Sequence, residues 1–189
     1  MSQDISQLSD EALAEHIRAD NPEEYREIVL RYEARLLRYV QGILHDADKA
    51  ADVVQETFIK AFINLNGFNT KLKFSSWIYR IAHNEAINSI RKYAKEFRPD
   101  DEAWFDRVED ERELLPEAMD KEISKQQLAS SLSKLSLKYR DPVMLHYLEG
   151  LSYQEISDVL TIPVATVGTR INRGKGQLKT ILRKEGFGA

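Results

Sequence analysis

Between Ser152 and Leu182 the chain has little choice but to form a helix, a tight corner and a second helix. Ser152 is placed to cap the first, Glu155 follows three residues on, and Ile156, Val159 and Leu160 make an apolar stripe. Pro163 then ends the run, because its ring cannot continue the hydrogen-bond ladder and pushes Ile162 out of helical geometry. A new helix can start at Val164, with Val167, Ile171, Leu178 and Leu182 inward and Thr169, Arg170, Asn172, Arg173, Lys175 and Lys179 mostly on the other faces. Cations and amides on one helix suit phosphates and base edges, so the pair points to a DNA groove; a hairpin with a solvated basic face is the alternative.

The rest of the chain obeys the same period. Only 8 glycines and 5 prolines interrupt 189 residues, and strict alternation is almost absent, which predicts an all-α fold. Ser9 is expected to cap a first helix burying Leu13 and Ile17, and Asn21-Pro22 to start a second that runs to Leu44. A third helix should turn Ala51, Val54, Phe58, Ala61, Phe62 and Leu65 inward and Asp52, Gln55, Glu56 and Lys60 outward. A fourth follows the turn cluster Asn66-Gly67-Phe68-Asn69-Thr70 and carries Trp77, Ile78, Ile81, Ala82, Ile87 and Ile90. Later, Leu128, Leu132 and Leu135 define another helix, and Asp141-Pro142 is expected to supply cap and first turn for Val143 to Leu148.

Charge divides the chain into three. Residues 1–93 hold 12 Lys+Arg and 14 Asp+Glu, residues 94–122 hold 5 and 12, and residues 123–189 hold 10 and 5. The expectation is two small helical domains, 1–93 and 123–189, joined by an acidic linker over 94–122. Trp104, Phe105, Val108, Leu114 and Leu115 are too many apolar side chains for a purely solvated tether, so part of the linker is expected to dock. The net charge of -4 argues against indiscriminate coating of nucleic acid and confines any basic surface to one region. Without cysteine there is no disulfide or thiolate zinc site. His16, His45, His83 and His146 are scattered, no metal or other cofactor is expected, and no nucleophile elbow or phosphate-cradling glycine loop suggests an enzyme. No apolar run spans a bilayer and the polar start lacks a signal-peptide core, which makes the cytoplasm the default and excludes membrane insertion.

Three motifs in order give these domains a resemblance. Asp52-Val53-Val54-Gln55-Glu56-Thr57-Phe58, then Phe74-Ser75-Ser76-Trp77-Ile78-Tyr79-Arg80-Ile81-Ala82-His83-Asn84, then Tyr147-Leu148-Glu149-Gly150-Leu151-Ser152-Tyr153-Gln154-Glu155-Ile156 resemble extracytoplasmic-function (ECF) sigma factors of bacterial RNA polymerase. The resemblance implies an alternative sigma factor with no catalytic residues, serving a stress or envelope response. Its first domain, sigma region 2-like, holds polymerase and reads and melts the start-proximal (minus-ten) element. Its second, sigma region 4-like, reads the upstream (minus-thirty-five) element. The implied partners are core polymerase, through the clamp of the largest subunit and the flap of the second-largest, promoter DNA, and an anti-sigma factor. A helix-turn-helix regulator acting without polymerase is the alternative, but it gives the Asp52 to Phe58 face no purpose.

Residue by residue, the resemblance puts Asp52, Gln55 and Glu56 against the polymerase clamp. It puts Phe68 and Asn84 on either side of a base flipped from the duplex, a task that needs an aromatic wall and an amide for the base edge. Asn69, Tyr79, Arg80, His83, Asn88, Arg91 and Lys92 are the other contacts expected at the start-proximal element, with Trp77 and Phe74 better suited to core. In the terminal helix Thr166, Thr169, Arg170, Asn172 and Arg173 match the groove-facing segment, Arg173 suits guanine, and Lys175 and Lys179 suit phosphates. Gly168, Gly174 and Gly176 depart from the family pattern. Each costs about 1 kcal/mol in a helix interior, which predicts fraying beyond about Arg173 in the absence of DNA. The acidic stretch Asp100 to Glu113 is further expected to mimic nucleic acid in a basic polymerase channel.

Overall fold

The computed structural model describes residues 5–19, 21–97 and 125–186. The expectations for an acidic linker, its docking and its channel mimicry lie outside the described residues. Helices α1 (Asp10–Arg18), α2 (Tyr25–Leu44), α3 (Ala47–Asn64) and α4 (Phe74–Phe97) form an N-terminal module. Helices α5 (Lys125–Ser133), α6 (Leu137–Tyr147), α7 (Tyr153–Leu160) and α8 (Val164–Lys184) form a C-terminal one. No strand occurs among the described residues.

Local chemistry sets most boundaries. The Ser9 hydroxyl accepts the Ala12 amide at 3.2 Å and the Asp46 carboxylate accepts that of Lys49 at 3.1 Å, each satisfying a donor that an α-helix start leaves unpaired. Asn21 instead turns back to donate to the His16 and Ala19 carbonyls, and Pro22–Glu24 forms a 3₁₀ turn before α2 begins. The C-terminal residue of α2 is followed by His45 in the left-handed region, φ 55°, which stops the helix before the α2–α3 corner.

One face of α2 buries Ile28, Tyr32, Leu36, Tyr39, Val40 and Ile43. It packs on α3 through Ala50, Val53, Val54, Phe58 and Ala61, and on α4 through Phe74, Ile78, Tyr79, Ala82 and Ala86. Each large side chain sequestered this way contributes on the order of 2 kcal/mol. Phe62 departs from the inward expectation: it is 45% exposed and meets Tyr25 edge-on at 4.9 Å. Asp141-Pro142 also departs from it. Helix α6 starts four residues before Asp141, behind Ser136, so Pro142 lies inside the helix and Asp141 is buried at 4% exposure instead of capping. A tertiary partner for Asp141 outweighs the local preference of the Asp-Pro pair.

That partner belongs to the other module. The Tyr39 hydroxyl donates to the Asp141 carboxylate at 2.6 Å and His83 Nδ1 lies 3.0 Å from it. Ser75 donates to Glu155 at 2.7 Å, and Arg38 meets Glu149 at 2.8 Å. Helix α4 lies along α7, α2 touches α6, and apolar residues of both modules form one continuous cluster. Sequence periodicity implies two modules; the structure shows them closed on one another.

His45 sits in this seam, 2.7 Å from the Arg140 guanidinium. Burial and the Arg140 cation hold its imidazole below the ordinary histidine value. A chain without the seam takes up the proton near pH 6.5, whereas the folded chain takes it only at lower pH, so stability is lost as pH falls from about 6.5 towards the depressed value. Thermal melts between pH 7.5 and 5.5 should show a smaller acid-side loss for His45→Asn than for the parent, Asn being tolerant of the left-handed backbone.

Candidate functional site

Helix α3 presents Asp52, Gln55 and Glu56 to solvent, as its period requires. Glu56 pairs with Lys60 at 3.4 Å, a surface contact of small energetic weight, and Lys60 reaches Glu85 of α4 at 2.7 Å. Beside these acids Ile59 and Ile63 are 53% and 69% exposed, so the face combines carboxylates with an unpartnered apolar strip of the kind that marks a protein contact. Both isoleucines lie off the inward stripe, and that misplacement was the signal by which the sequence could have revealed them.

The loop between α3 and α4 is held from an unexpected side. Arg18 of α1 donates through Nε to the Leu65 carbonyl at 2.7 Å, its Nη2 reaches the carbonyls of Leu65 and Phe68, and its guanidinium stands 5.8 Å over the Phe68 ring. Arg18→Ala removes charged hydrogen bonds to two carbonyls and should cost about 2 kcal/mol, read from denaturant unfolding. Phe68 itself is 4% exposed and packs on Phe74 and Trp77, with centroids 5.3 and 5.0 Å away. An apolar loop side chain with an aromatic cluster beneath it goes under cover, so in this arrangement Phe68 is not open to wall a flipped base. Trp77 and Asn84 instead line an open cavity of about 520 Å³ with Lys60, Asn64, Ile81 and Glu85. An aromatic face and an amide therefore do converge, with Trp77 as the aromatic partner. Phe74 is core, as expected.

Along α4, Arg80, Asn84, Asn88, Arg91 and Lys92 are exposed, as is Asn69 in the loop. Tyr79 and His83 are not free to join them. Tyr79 is fully buried and donates to Glu149 at 2.6 Å, while His83 turns to Asp141. In the closed arrangement neither is open to DNA, because carboxylates of the C-terminal module already take these side chains. Burial, reinforced by the Glu149 carboxylate, pushes the Tyr79 hydroxyl well above its ordinary value, so it remains a donor.

In the C-terminal module Ser152 and Glu155 form a reciprocal capping box at the start of α7, and Thr161 takes a left-handed conformation at its end, φ 55°. Burial pushes the Glu155 carboxyl up, but hydrogen bonds from Ser75 and Ser152 outweigh it and leave it below its ordinary value. Pro163 then positions Val164 to begin α8. Val167, Ile171 and Leu182 are buried, Thr169, Asn172, Arg173 and Lys175 are exposed, and Thr166, Arg170 and Lys179 are partly exposed. The expected fraying is corrected: α8 runs unbroken to Lys184. Gly174 explains why, since a Cβ there would stand 2.7 Å from Val143 Cγ2 and 3.0 Å from the Tyr139 carbonyl oxygen. Close packing on α6 offsets its weak helix propensity. No cluster of three or more metal-ligating side chains occurs among the described residues.

Known proteins share this arrangement. The Sigma-70 region 2 family matches residues 28–96 and the Sigma-70, region 4 family matches residues 125–178. The chain is 32% identical over 174 residues to the ECF RNA polymerase sigma factor SigW of Bacillus subtilis, covering 88% of this chain and 93% of the relative. It is 33% identical over 180 residues to the ECF RNA polymerase sigma-E factor of Escherichia coli K12, covering 89% and 92%. In fold it is similar to CnrH in complex with the cytosolic domain of CnrY, with a TM-score of 0.68 at 23% identity over 93% of this chain and 97% of the other. It is similar also to the sigma factor RpoE bound to the anti-sigma factor NepR from Bartonella quintana, with a TM-score of 0.69 at 23% identity over 85% and 98%. Two helical modules, an exposed acidic face on α3, a cationic α4 and a capped helix-corner-helix, together with these identities, establish that the chain belongs to the ECF sigma factors of RNA polymerase.

Proposed function

We propose that this sigma factor docks on core RNA polymerase through Asp52, Gln55 and Glu56 of α3, with Ile59 and Ile63 completing the contact. The module up to about residue 93 then reads the start-proximal element, using Arg80, Asn84, Asn88, Arg91 and Lys92 on α4 and Asn69 in the loop. Trp77 and Asn84 receive the flipped base in the cavity they line. The module from about residue 123 reads the upstream element, with Thr166, Thr169, Arg170, Asn172 and Arg173 in the groove and Lys175 and Lys179 on phosphates. Tyr79 and His83 join the contacts only after the modules part, whereas Phe68, covered by Arg18, Phe74 and Trp77 of its own module, joins them only by turning out of its loop packing. The chain supplies positions and charge and catalyses nothing itself.

One observation carries this reading. A single module bears an exposed acidic and apolar face on α3 and, on α4, a row of exposed cations and amides, so polymerase and promoter can be engaged together. A helix-turn-helix regulator working alone has no use for the first face. The cytoplasm, where polymerase works, is the proposed site of action. No described helix is long and apolar enough to cross a membrane. An anti-sigma factor is the proposed regulator, by likeness to relatives solved with theirs. Affinity capture tests the reading: the tagged chain should retain core polymerase without DNA, and retention of DNA alone would overturn it.

A further inference from the structure

Glu149 belongs to the C-terminal module, at the turn between α6 and α7, yet its side chain is wholly enclosed by donors of the N-terminal module. Arg38 grips it with Nε at 2.8 Å and Nη2 at 3.0 Å, and the Tyr79 hydroxyl donates to it at 2.6 Å. Arg35 places Nε 3.5 Å from the same carboxylate and donates through Nη2 to the Glu149 carbonyl at 2.9 Å. The arginines are three residues apart on α2 and the phenol comes from α4, so one rigid module supplies the whole donor set. Arg35 is also steadied over the rings of Tyr32 and Tyr79, at 5.3 and 5.7 Å.

Two guanidinium groups around one carboxylate leave an excess of positive charge, and their planar forks fit a phosphate as well as a carboxylate. The site needs no rebuilding to exchange one anion for the other. Nor is the closure around it incidental. Gly42 lies inside α2, where glycine weakens a helix, and a Cβ there would overlap the Met144 methyl of the C-terminal module. Asp141, held by Tyr39 and His83, closes the seam further along.

We propose that Arg35, Arg38 and Tyr79 form a binding site for a backbone phosphate of promoter DNA, and that Glu149 fills it in the closed chain as an internal stand-in for that phosphate. Closure of the modules and DNA binding by the first of them then compete for one donor set. The proposal rests on the reading of the chain as a promoter-binding sigma factor, and it adds a site on α2 to those on α4 and α8.

Because the chain has no cysteine, fluorophores can be placed at Glu33→Cys and Lys184→Cys, both exposed, to follow the separation of the modules. The probes are a single-stranded DNA and the same strand with an uncharged methylphosphonate backbone. Phosphodiester DNA should separate the labels and the uncharged strand should not. Glu149→Gln should open the pair without DNA and raise DNA affinity by about fivefold or more, since the competitor is gone. Arg35→Gln with Arg38→Gln should open it too, but lower affinity and reduce the salt slope by about 0.7, the share of one phosphate on a single strand. Gly42→Phe opens the seam while leaving the donor set whole, and should behave as Glu149→Gln does even if that variant folds poorly. Unchanged DNA affinity in both Glu149→Gln and Gly42→Phe, or a gain in the arginine variant, would overturn the proposal. Polymerase capture by the parent chain is read alongside: capture with no opposed effects rejects the phosphate site alone, and loss of capture rejects the sigma reading itself.

Discussion

Alanine at Gly174 should lower the stability of the protein by about 2 kcal/mol, whereas alanine at Gly176 on the same helix should raise it by about 1 kcal/mol. Both positions lie in the interior of α8, so helix propensity alone favours alanine at each. What separates them is space. The new methyl at Gly174 meets Val143 Cγ2 at 2.7 Å and the Tyr139 carbonyl oxygen at 3.0 Å, and backbone cannot step aside as the end of a long side chain can. At Gly176 nothing lies within 4 Å. Overpacking at the first site outweighs the propensity gain, and at the second the gain stands alone. Denaturant unfolding of the two variants measures the difference, and Gly174→Leu should be worse than Gly174→Ala because the added carbons enter the α6–α8 contact.

The second large effect is on assembly. Asp52→Lys combined with Glu56→Lys should weaken capture of core polymerase by roughly hundredfold, about 2.7 kcal/mol, while leaving the melting temperature close to that of the parent. Both carboxylates are exposed, and among the described residues the only ion pair lost is the Glu56–Lys60 contact, so the fold has little at stake. An interface, in contrast, loses two attractions and gains two repulsions. Ile63→Ser should weaken capture less, through loss of apolar contact at a residue 69% exposed in the free protein. Binding isotherms with purified core enzyme, alongside thermal melts, separate an assembly defect from a folding one.

How much of this was legible before the structure depended on how far apart the determinants lie in the chain. Caps made by Ser9 and Ser152 and the break at Pro163 act within a few residues, and each stands where the sequence implied. The outward face of α3 was equally readable, since a period of 3.6 places Asp52, Gln55 and Glu56 opposite Val54 and Phe58. Asp141-Pro142 misled because a local preference for a helix start lost to Tyr39 and His83, partners from the other module. Gly174 read as a weakness because nothing within its own helix shows that α6 comes so close. The burial of Phe68 was not readable because its loop setting is local and the Arg18, Phe74 and Trp77 around it come from elsewhere in the fold. The seam had no local signature at all: Arg38 and Glu149 are 111 residues apart, and each alone looks like a solvated charge.

Regulation follows from the same seam. On the proposed reading DNA can use Tyr79 and His83 only after Glu149 and Asp141 have released them, so holding the modules together should restrain initiation and parting them should permit it. A partner that binds across both modules works with the closed state and needs to supply only the difference in affinity between closed and open forms.

Run-off transcription with purified core polymerase on a library of randomised promoters is the most direct measure of the whole. Addition of the chain should yield transcripts from templates sharing two elements at a fixed spacing, the start-proximal one lost in Asn84→Ala and the upstream one in Arg173→Ala. Initiation that is unchanged by the chain, or that depends on one element whichever residue is replaced, would contradict it.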